Sequence, residues 1–165
     1  MPTGDDVELR ALRADEGRSL QRFYNGLSRE SHRLFHPLGW NACLSECERI
    51  AREAAAGRRF DVVAVCGGAI VGWAFLSPID PDVPVLGIAV ADDFQGRGLG
   101  ARLMHTLVDE GNRRGLKGIA LTVVHDNDRA RSLYERFGFC VTGGHRGADG
   151  LDYLEMEMRY SGGEP

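Results

Sequence analysis

The 165-residue sequence has no long apolar run, few cysteines and no excess of basic residues. No stretch of about 18 consecutive apolar residues occurs, which excludes a membrane-spanning helix. The net charge of −4 and the scattered arginines argue against nucleic acid as a partner. The first six residues are polar and acidic, unlike a secretion signal, so the four cysteines fit reduced thiols. These features predict a cytoplasmic location.

Two pairs of potential metal ligands lie close together in the sequence. His32 and His36 are four residues apart, as are Cys43 and Cys47, and four such ligands could bind zinc. However, a segment with proline, glycine and tryptophan separates the pairs, and both cysteines continue an apolar helical stripe toward Ile50. We therefore predict that these cysteines belong to the core and that the protein has no metal site.

The order of predicted elements indicates one α/β domain over residues 1–165, with its core at about 7–160. A single mixed, mostly antiparallel sheet of about seven strands is expected, with a central parallel βαβ unit and helices on both faces. Strands are predicted at Val7–Ala11, Phe60–Cys66, Ala69–Leu76, Val85–Val90, Gly118–Val124, Phe139–Thr142 and Tyr153–Met158. Helical faces are predicted at Leu20–Leu27, Ser28–Phe35, Cys43–Ala54, Leu99–Val108 and Ala130–Phe137, with N-caps at Asp15 and at Asp126 or Asn127.

Residues 95–100 read Gln-Gly-Arg-Gly-Leu-Gly, between an apolar strand and an amphipathic helix. Three glycines in five positions let the backbone approach a ligand closely. The free N–H groups at the start of the following helix favour an anion, so the segment predicts a phosphate-binding loop. It is not a P-loop, and Leu103 stands where a dinucleotide fingerprint requires its third glycine.

Three stretches at consistent separations resemble the GNAT acetyltransferases. Gln95–Gly100 is similar to the family's acetyl-coenzyme A (acetyl-CoA) loop, Gln/Arg-x-x-Gly-x-Gly/Ala. Leu86–Val90 resembles the strand before that loop. Asn127–Phe139 is similar to the family's helix, Asn-x-x-Ala-x-x-x-Tyr-x-x-x-Gly-Phe. The resemblance covers residues 85–142 closely and the rest by element order, and it implies the acyl-CoA N-acyltransferase fold.

The resemblance implies an enzyme that moves an acetyl group from acetyl-CoA to a primary amine by direct attack, without a metal. The loop would hold the coenzyme pyrophosphate, and the backbone of the preceding strand would pair with the pantetheine arm. The implied coenzyme-binding residues are Ile88, Ala89, Val90, Gln95, Gly96, Arg97, Gly98, Leu99, Gly100, Ala101, Asn127, Ala130 and Tyr134.

The resemblance also implies that Tyr134 is the general acid. A tyrosine with a pKa near 10 is well matched to a leaving thiol with a pKa near 8.5. Val85 stands where many members carry a glutamate, so the general base stays open among Asp80, Asp82 and His125.

The acceptor amine, a small molecule or a protein amine, is not identified by the sequence. Its site is expected in the segment Phe23–Trp40 and in the loop His145–Gly150, although the aromatic residues could equally fasten helices to the sheet. Asp92 and Asp93 are predicted to be solvent-facing acids. Two alternatives stay open, a noncatalytic acyl-CoA sensor or regulatory module and an interaction protein without the cofactor, and a homodimer is possible.

Overall fold

A computed structural model describes residues 6–77 and 80–161. The strands in these residues are β1 (Glu8–Ala11), β2 (Phe60–Cys66), β3 (Ala69–Ser77), β4 (Val85–Val90), β5 (Gly118–Val124), β6 (Cys140–Arg146) and β7 (Asp152–Arg159). The α-helices are α1 (Gly17–Asn25), α2 (Arg29–Leu34), α3 (Leu44–Ala55), α4 (Leu99–Arg113) and α5 (Asp128–Arg136).

The strands form one open sheet in the order β1-β2-β3-β4-β5-β7-β6. β4 and β5 pair in parallel with Val85 opposite Ala120, whereas β7 runs antiparallel to both β5 and β6. The predicted mixed sheet with its central parallel unit and helices on both faces is therefore confirmed. One detail is new, since β7 returns between β5 and β6 and leaves β6 at the end of the strand order.

The described residues fall into two compact units. The first combines the chain up to Ser77 with Gly87–Leu107, and the second combines the segment that ends at Leu86 with the residues from Val108 onward. β4 and α4 each contribute residues to both units, so the single domain expected from the sequence stays a prediction. In residues 6–77 and 80–161, no helix is long and apolar enough to cross a membrane.

In the first unit, α1 buries the predicted inner face of Leu20, Phe23 and Tyr24. The predicted N-cap at Asp15 is wrong, because α1 begins after Glu16. The Glu16 carboxylate accepts two hydrogen bonds from the Arg10 guanidinium, at 2.6 and 2.8 Å, which fixes the residue at the start of the helix.

The two cysteines of α3 differ from each other. Cys47 is fully buried in the core beside Ile50 and Ala51, as predicted. Cys43 is exposed, and its prediction as a core residue is wrong, because it precedes the first turn of α3 as the N-cap residue. The apolar stripe therefore begins one turn later than the spacing of the cysteines indicates.

In the second unit, β6 is longer than the predicted strand. It continues to Arg146, so His145 lies in a strand opposite Tyr153 rather than in the predicted loop. The Tyr160 hydroxyl donates a hydrogen bond of 2.7 Å to the Val108 carbonyl oxygen and attaches the residue after β7 to α4.

Candidate active site

The strand β4 carries the three residues predicted to face the pantetheine arm. Ile88, Ala89 and Val90 are half-buried in the first unit. Before them, a Cβ atom at Gly87 would overlap the Phe75 ring, which packs directly against the backbone. Glycine is therefore needed at position 87, because a core aromatic ring occupies the space of a side chain.

The loop after β4 owes its shape to two glycines. Gly96 has φ of +78° and Gly98 has φ of +79°, both in the left-handed region that side chains disfavour. A Cβ atom at Gly98 would have no neighbour within 4 Å. Glycine is therefore needed at position 98 for the backbone conformation, while the space beside it is open to a ligand.

The helix α4 begins immediately after Gly98. Its first intrahelical hydrogen bond runs from the Arg102 N–H to the Gly98 carbonyl oxygen, at 3.2 Å. The N–H groups of Leu99, Gly100 and Ala101 precede this bond and have no acceptor within the helix. These donors, at the positive end of a 15-residue helix, suit an anion such as a pyrophosphate.

Two side chains of the loop contact the protein. The Arg97 guanidinium lies 5.3 Å from the centre of the Phe94 ring in a cation–π contact. The Gln95 amide donates hydrogen bonds to the Val90 carbonyl oxygen, at 2.9 Å, and to the Ser31 hydroxyl, at 3.3 Å. The amide nitrogen of Gln95, the first residue of the motif, thus makes its hydrogen bonds within the protein.

Asp92 makes contacts that its prediction as a solvent-facing acid did not include. Its side chain is exposed, but the carboxylate accepts hydrogen bonds from the Ser28 N–H, at 3.1 Å, and from the Ser31 hydroxyl, at 3.2 Å. Partial burial opposes ionisation, yet the hydrogen bonds from Ser28 and Ser31 outweigh it and lower the pKa of Asp92. The prediction of a solvent-facing acid is therefore confirmed, and the hydrogen bonds to the start of α2 are an addition to it. Both serines lie in the segment Phe23–Trp40 that is expected to bind the acceptor, but the sequence does not predict their hydrogen bonds to Asp92.

In the second unit, Asn127 is the N-cap of α5. Its side-chain oxygen accepts a hydrogen bond from the Ala130 N–H, at 3.3 Å, so the predicted cap is confirmed. Asn127 and Ala130 are both half-buried. The bond uses the oxygen of the amide, and the amide nitrogen remains the group that the predicted coenzyme contact would use.

Tyr134 lies one turn further along α5. It is 7% exposed, and its ring packs 6.0 Å from that of Phe139, centre to centre. Burial raises the pKa of Tyr134, and no charge or hydrogen bond from the described residues adds to this effect. The phenol is therefore protonated at neutral pH, as a proton donor must be.

The residues considered as general bases are exposed. Val85 lies in the sheet, so no carboxylate occupies that position. Asp82 forms an ion pair with Lys117, with 3.2 Å between the carboxylate oxygen and the ammonium nitrogen. Asp80 accepts a hydrogen bond from the Asp82 N–H at 2.8 Å. His125 follows β5, and its backbone N–H donates to the Asp152 carbonyl oxygen at 2.8 Å.

The segment predicted to bind the acceptor is an aromatic cluster in the first unit. Phe23 and Tyr24 are buried, and Phe35 packs against Trp73, so these rings fasten α1 and α2 to the sheet. Trp40 is 57% exposed and is therefore not a fastening residue.

Two histidines lie beside this cluster. His36 stacks on the Trp40 ring with 6.5 Å between ring centres. His32 is buried 4.9 Å from the Tyr24 ring, and its Nδ1 atom makes no hydrogen bond within the described residues. Over those residues, no three metal-ligand side chains lie close enough to hold an ion, and the two histidine and cysteine pairs do not converge.

Comparison with known proteins identifies the family. The model of the acetyltransferase (GNAT) family matches residues 20–139. N-alpha-acetyltransferase RimI of Mycobacterium tuberculosis is 36% identical over 126 residues, which cover 69% of this chain and 73% of that protein. The [Ribosomal protein bS18]-alanine N-acetyltransferase of Escherichia coli is 35% identical over 72 residues, which cover 44% of this chain and 49% of that enzyme.

A solved structure agrees with the sequence relatives. An acetyltransferase of the GNAT family from Streptococcus pneumoniae superposes with a TM-score of 0.80 at 22% identity, covering 94% of this chain and 99% of that one. The chain belongs to the GNAT acetyltransferase family. The predicted enzyme class and the predicted cosubstrate, acetyl-CoA, are confirmed.

Proposed function

We propose that this acetyltransferase modifies the α-amino group of a protein N-terminus, as its named relatives do. The observation that carries the proposal is the similarity to N-alpha-acetyltransferase RimI over 126 residues. The name of a second relative specifies an alanine of ribosomal protein bS18. We therefore expect a small N-terminal residue, such as alanine, on a ribosomal protein.

Acetyl-CoA is proposed to bind at the loop after β4 with its pyrophosphate on the first turn of α4. Support comes from the N–H groups of Leu99, Gly100 and Ala101, which have no acceptor within the helix, and from the open space beside Gly98. Arg97 adds a positive charge to the same loop. Ile88, Ala89 and Val90 are proposed to pair with the pantetheine arm through their backbone. Gln95 is proposed to contribute through its backbone, because its side-chain amide is occupied.

The proposed reaction is a direct transfer. A neutral amine attacks the thioester carbonyl carbon, a C–N bond forms, and the C–S bond breaks as the tetrahedral intermediate collapses. The amine nitrogen loses one proton to water or to a base, and the leaving thiolate receives one from Tyr134. The phenol is protonated at neutral pH, as this role requires, while burial raises the pKa of Tyr134 further above that of the thiol.

Three further expectations accompany the proposal. The chain is proposed to act as a single domain and in the cytoplasm, where acetyl-CoA and ribosomal proteins are both available. Self-association into a homodimer stays a prediction, which sedimentation equilibrium of the purified protein can check.

The acceptor class can be tested with three peptides that differ only in which of their two amino groups is available. One has a free N-terminal alanine and one internal lysine, the second has its α-amino group blocked, and the third has arginine in place of the lysine. Each is incubated with the protein and acetyl-CoA, and mass spectrometry locates the acetyl group while thiol release gives the rate.

We expect acetylation of the first and third peptides at the α-amino group and no reaction of the blocked peptide. Modification of the lysine in the blocked peptide would contradict the proposed acceptor. Thiol release with small amines or amino acids, and with none of the peptides, would show that the acceptor is a small molecule and not a protein.

A further inference from the structure

A hydrogen-bonded latch joins α2 to the coenzyme loop. We define the latch as Ser28, Ser31, Asp92 and Gln95, in which the two serines are more than 60 residues from Asp92 and Gln95 in the chain. All four residues belong to the first compact unit. The latch therefore attaches α2 to the loop after β4 within that unit.

The Ser31 hydroxyl is the central atom of the latch. It donates its one proton to the Asp92 carboxylate, at 3.2 Å, and accepts a hydrogen bond from the Gln95 amide, at 3.3 Å. The second N–H of that amide donates to the Val90 carbonyl oxygen, at 2.9 Å. One hydroxyl thus links α2 to Asp92 and to Gln95, and Gln95 in turn bonds to the end of β4. Its removal would break two of the latch's hydrogen bonds and leave the helix cap intact.

The cap is separate because it uses other atoms. The Ser28 side chain accepts from the Ser31 N–H at 3.1 Å, which satisfies the first turn of α2. The Ser28 N–H donates to Asp92, so the carboxylate holds the N-terminus of the helix from outside. Hydrogen bonds to an ionised carboxylate are stronger than those between neutral groups, and the latch is therefore a specific attachment.

α2 also packs against the aromatic cluster in the segment predicted to bind the acceptor. His32 packs between the Tyr24 and Trp40 rings, with ring centres 4.9 and 6.0 Å away. Phe35 follows at the end of the same helix. With only six residues, α2 is too short to be stable alone, so its position depends on its attachments.

We infer that Ser31, Asp92 and Gln95 are positioning residues that couple the coenzyme loop to α2. Acetyl-CoA binding at the loop then orders residues 28–36, which belong to the segment predicted to bind the acceptor. The inference rests on the proposed binding of acetyl-CoA at this loop. By thermodynamic linkage, an acceptor that orders α2 then tightens the binding of acetyl-CoA by the same factor.

Hydrogen exchange measured by mass spectrometry tests the coupling without an acceptor. The readout is the exchange of residues 28–36, where the His32 N–H bonds to the Ser28 carbonyl and the Phe35 N–H bonds to the Ser31 carbonyl. Exchange is compared with and without saturating acetyl-CoA in the wild type, Ser31→Ala and Ser31→Thr. Ser45→Ala is the matched control, an exposed serine in the first turn of α3.

We expect acetyl-CoA to slow exchange of this segment about fivefold or more in the wild type, in Ser31→Thr and in Ser45→Ala, as coupling energies of this kind predict. In Ser31→Ala the slowing should drop below about twofold, although the coenzyme still binds at saturation. Should Ser31→Ala not fold, Asp92→Ala serves as the second variant, with the same expected loss.

Two outcomes overturn the inference. Equal slowing in the wild type and in Ser31→Ala would mean that α2 responds without the latch. No slowing in a wild type whose melting temperature rises with acetyl-CoA would mean that the two sites are not coupled. If acetyl-CoA does not raise the melting temperature, the failure is instead that of the proposed coenzyme site.

Discussion

Two helices follow the neighbouring parallel strands β4 and β5, and they begin differently. α5 begins with Asn127, whose side chain accepts a hydrogen bond from the helix's own first turn. α4 begins after Gly98, which has no side chain and therefore cannot cap the helix. The first N–H groups of α4 have no acceptor within the helix, whereas in α5 the Asn127 side chain accepts from one of them.

The start of α4 is therefore suited to bind a ligand, whereas the start of α5 is suited to hold its own helix in place. An uncapped helix start is less stable by itself, and a bound anion can replace the missing cap. A capped start holds the helix in place without a ligand, which suits α5 because it carries Tyr134. We therefore expect changes at the start of α4 to affect coenzyme affinity and changes within α5 to affect the chemical step or stability.

The largest expected effect is that of Tyr134→Phe. If Tyr134 protonates the leaving thiolate, kcat should fall about 100-fold while the Kd for acetyl-CoA changes little. Stability should hardly change, because the hydroxyl makes no hydrogen bond within the described residues. Tyr160→Phe is the control, since it removes a real hydrogen bond to Val108 and should lower stability by about 1 kcal/mol with kcat retained. An unaltered kcat in Tyr134→Phe would make Tyr134 a core residue only.

A smaller effect is expected for Gly98→Ala, measured as acetyl-CoA affinity by calorimetry. A methyl group in the open space beside the loop and a strained backbone should raise the Kd about tenfold. Gly57→Ala is a closely matched control, with φ of +78° and no atom within 4 Å of the added Cβ. Both variants should lose about 1–2 kcal/mol of stability. Equal affinities in the two variants would show that the pyrophosphate does not use this loop.

The smallest effect concerns Asn127, for which the cap and the coenzyme contact can be separated. Asn127→Ala should lower the free energy of unfolding by about 1 kcal/mol in chemical denaturation, because the Ala130 N–H loses its acceptor. Asn127→Asp keeps an acceptor and should retain stability, but it lacks the amide donor proposed for the coenzyme arm. A Kd for acetyl-CoA that is unchanged in Asn127→Asp would leave Asn127 with the cap alone.

The start of α4 could be predicted from sequence because its signals are local. Glycines at positions 96 and 98, a preceding apolar strand and a following amphipathic stripe all lie within 25 residues. The positive φ values of Gly96 and Gly98 are also a local signal, because residues other than glycine avoid that conformation. The cap at Asn127 and the burial of the Tyr134 ring could also be predicted from the sequence, because helix periodicity and capping preferences act over one or two turns.

The latch was not predictable in this way. Ser31 and Asp92 are 61 residues apart, and each is typical of an ordinary helix start or loop when read alone. The N-cap at Glu16 rather than Asp15 has a similar cause, because Arg10 selects between two adjacent carboxylates through a tertiary contact. The error at Cys43 has a local cause. Its spacing from Cys47 fits a helix, but α3 begins only at Leu44, so the buried face does not reach Cys43.

The contact between Gly87 and Phe75 constrains how this fold can vary among its relatives. The benzene ring fills the volume that any side chain at position 87 would need. A homologue with alanine or a larger residue there should carry a smaller residue in place of the phenylalanine, so the two positions are expected to covary. The single change Gly87→Ala, made without its compensating partner, would displace the strand on which the thioester is expected to rest.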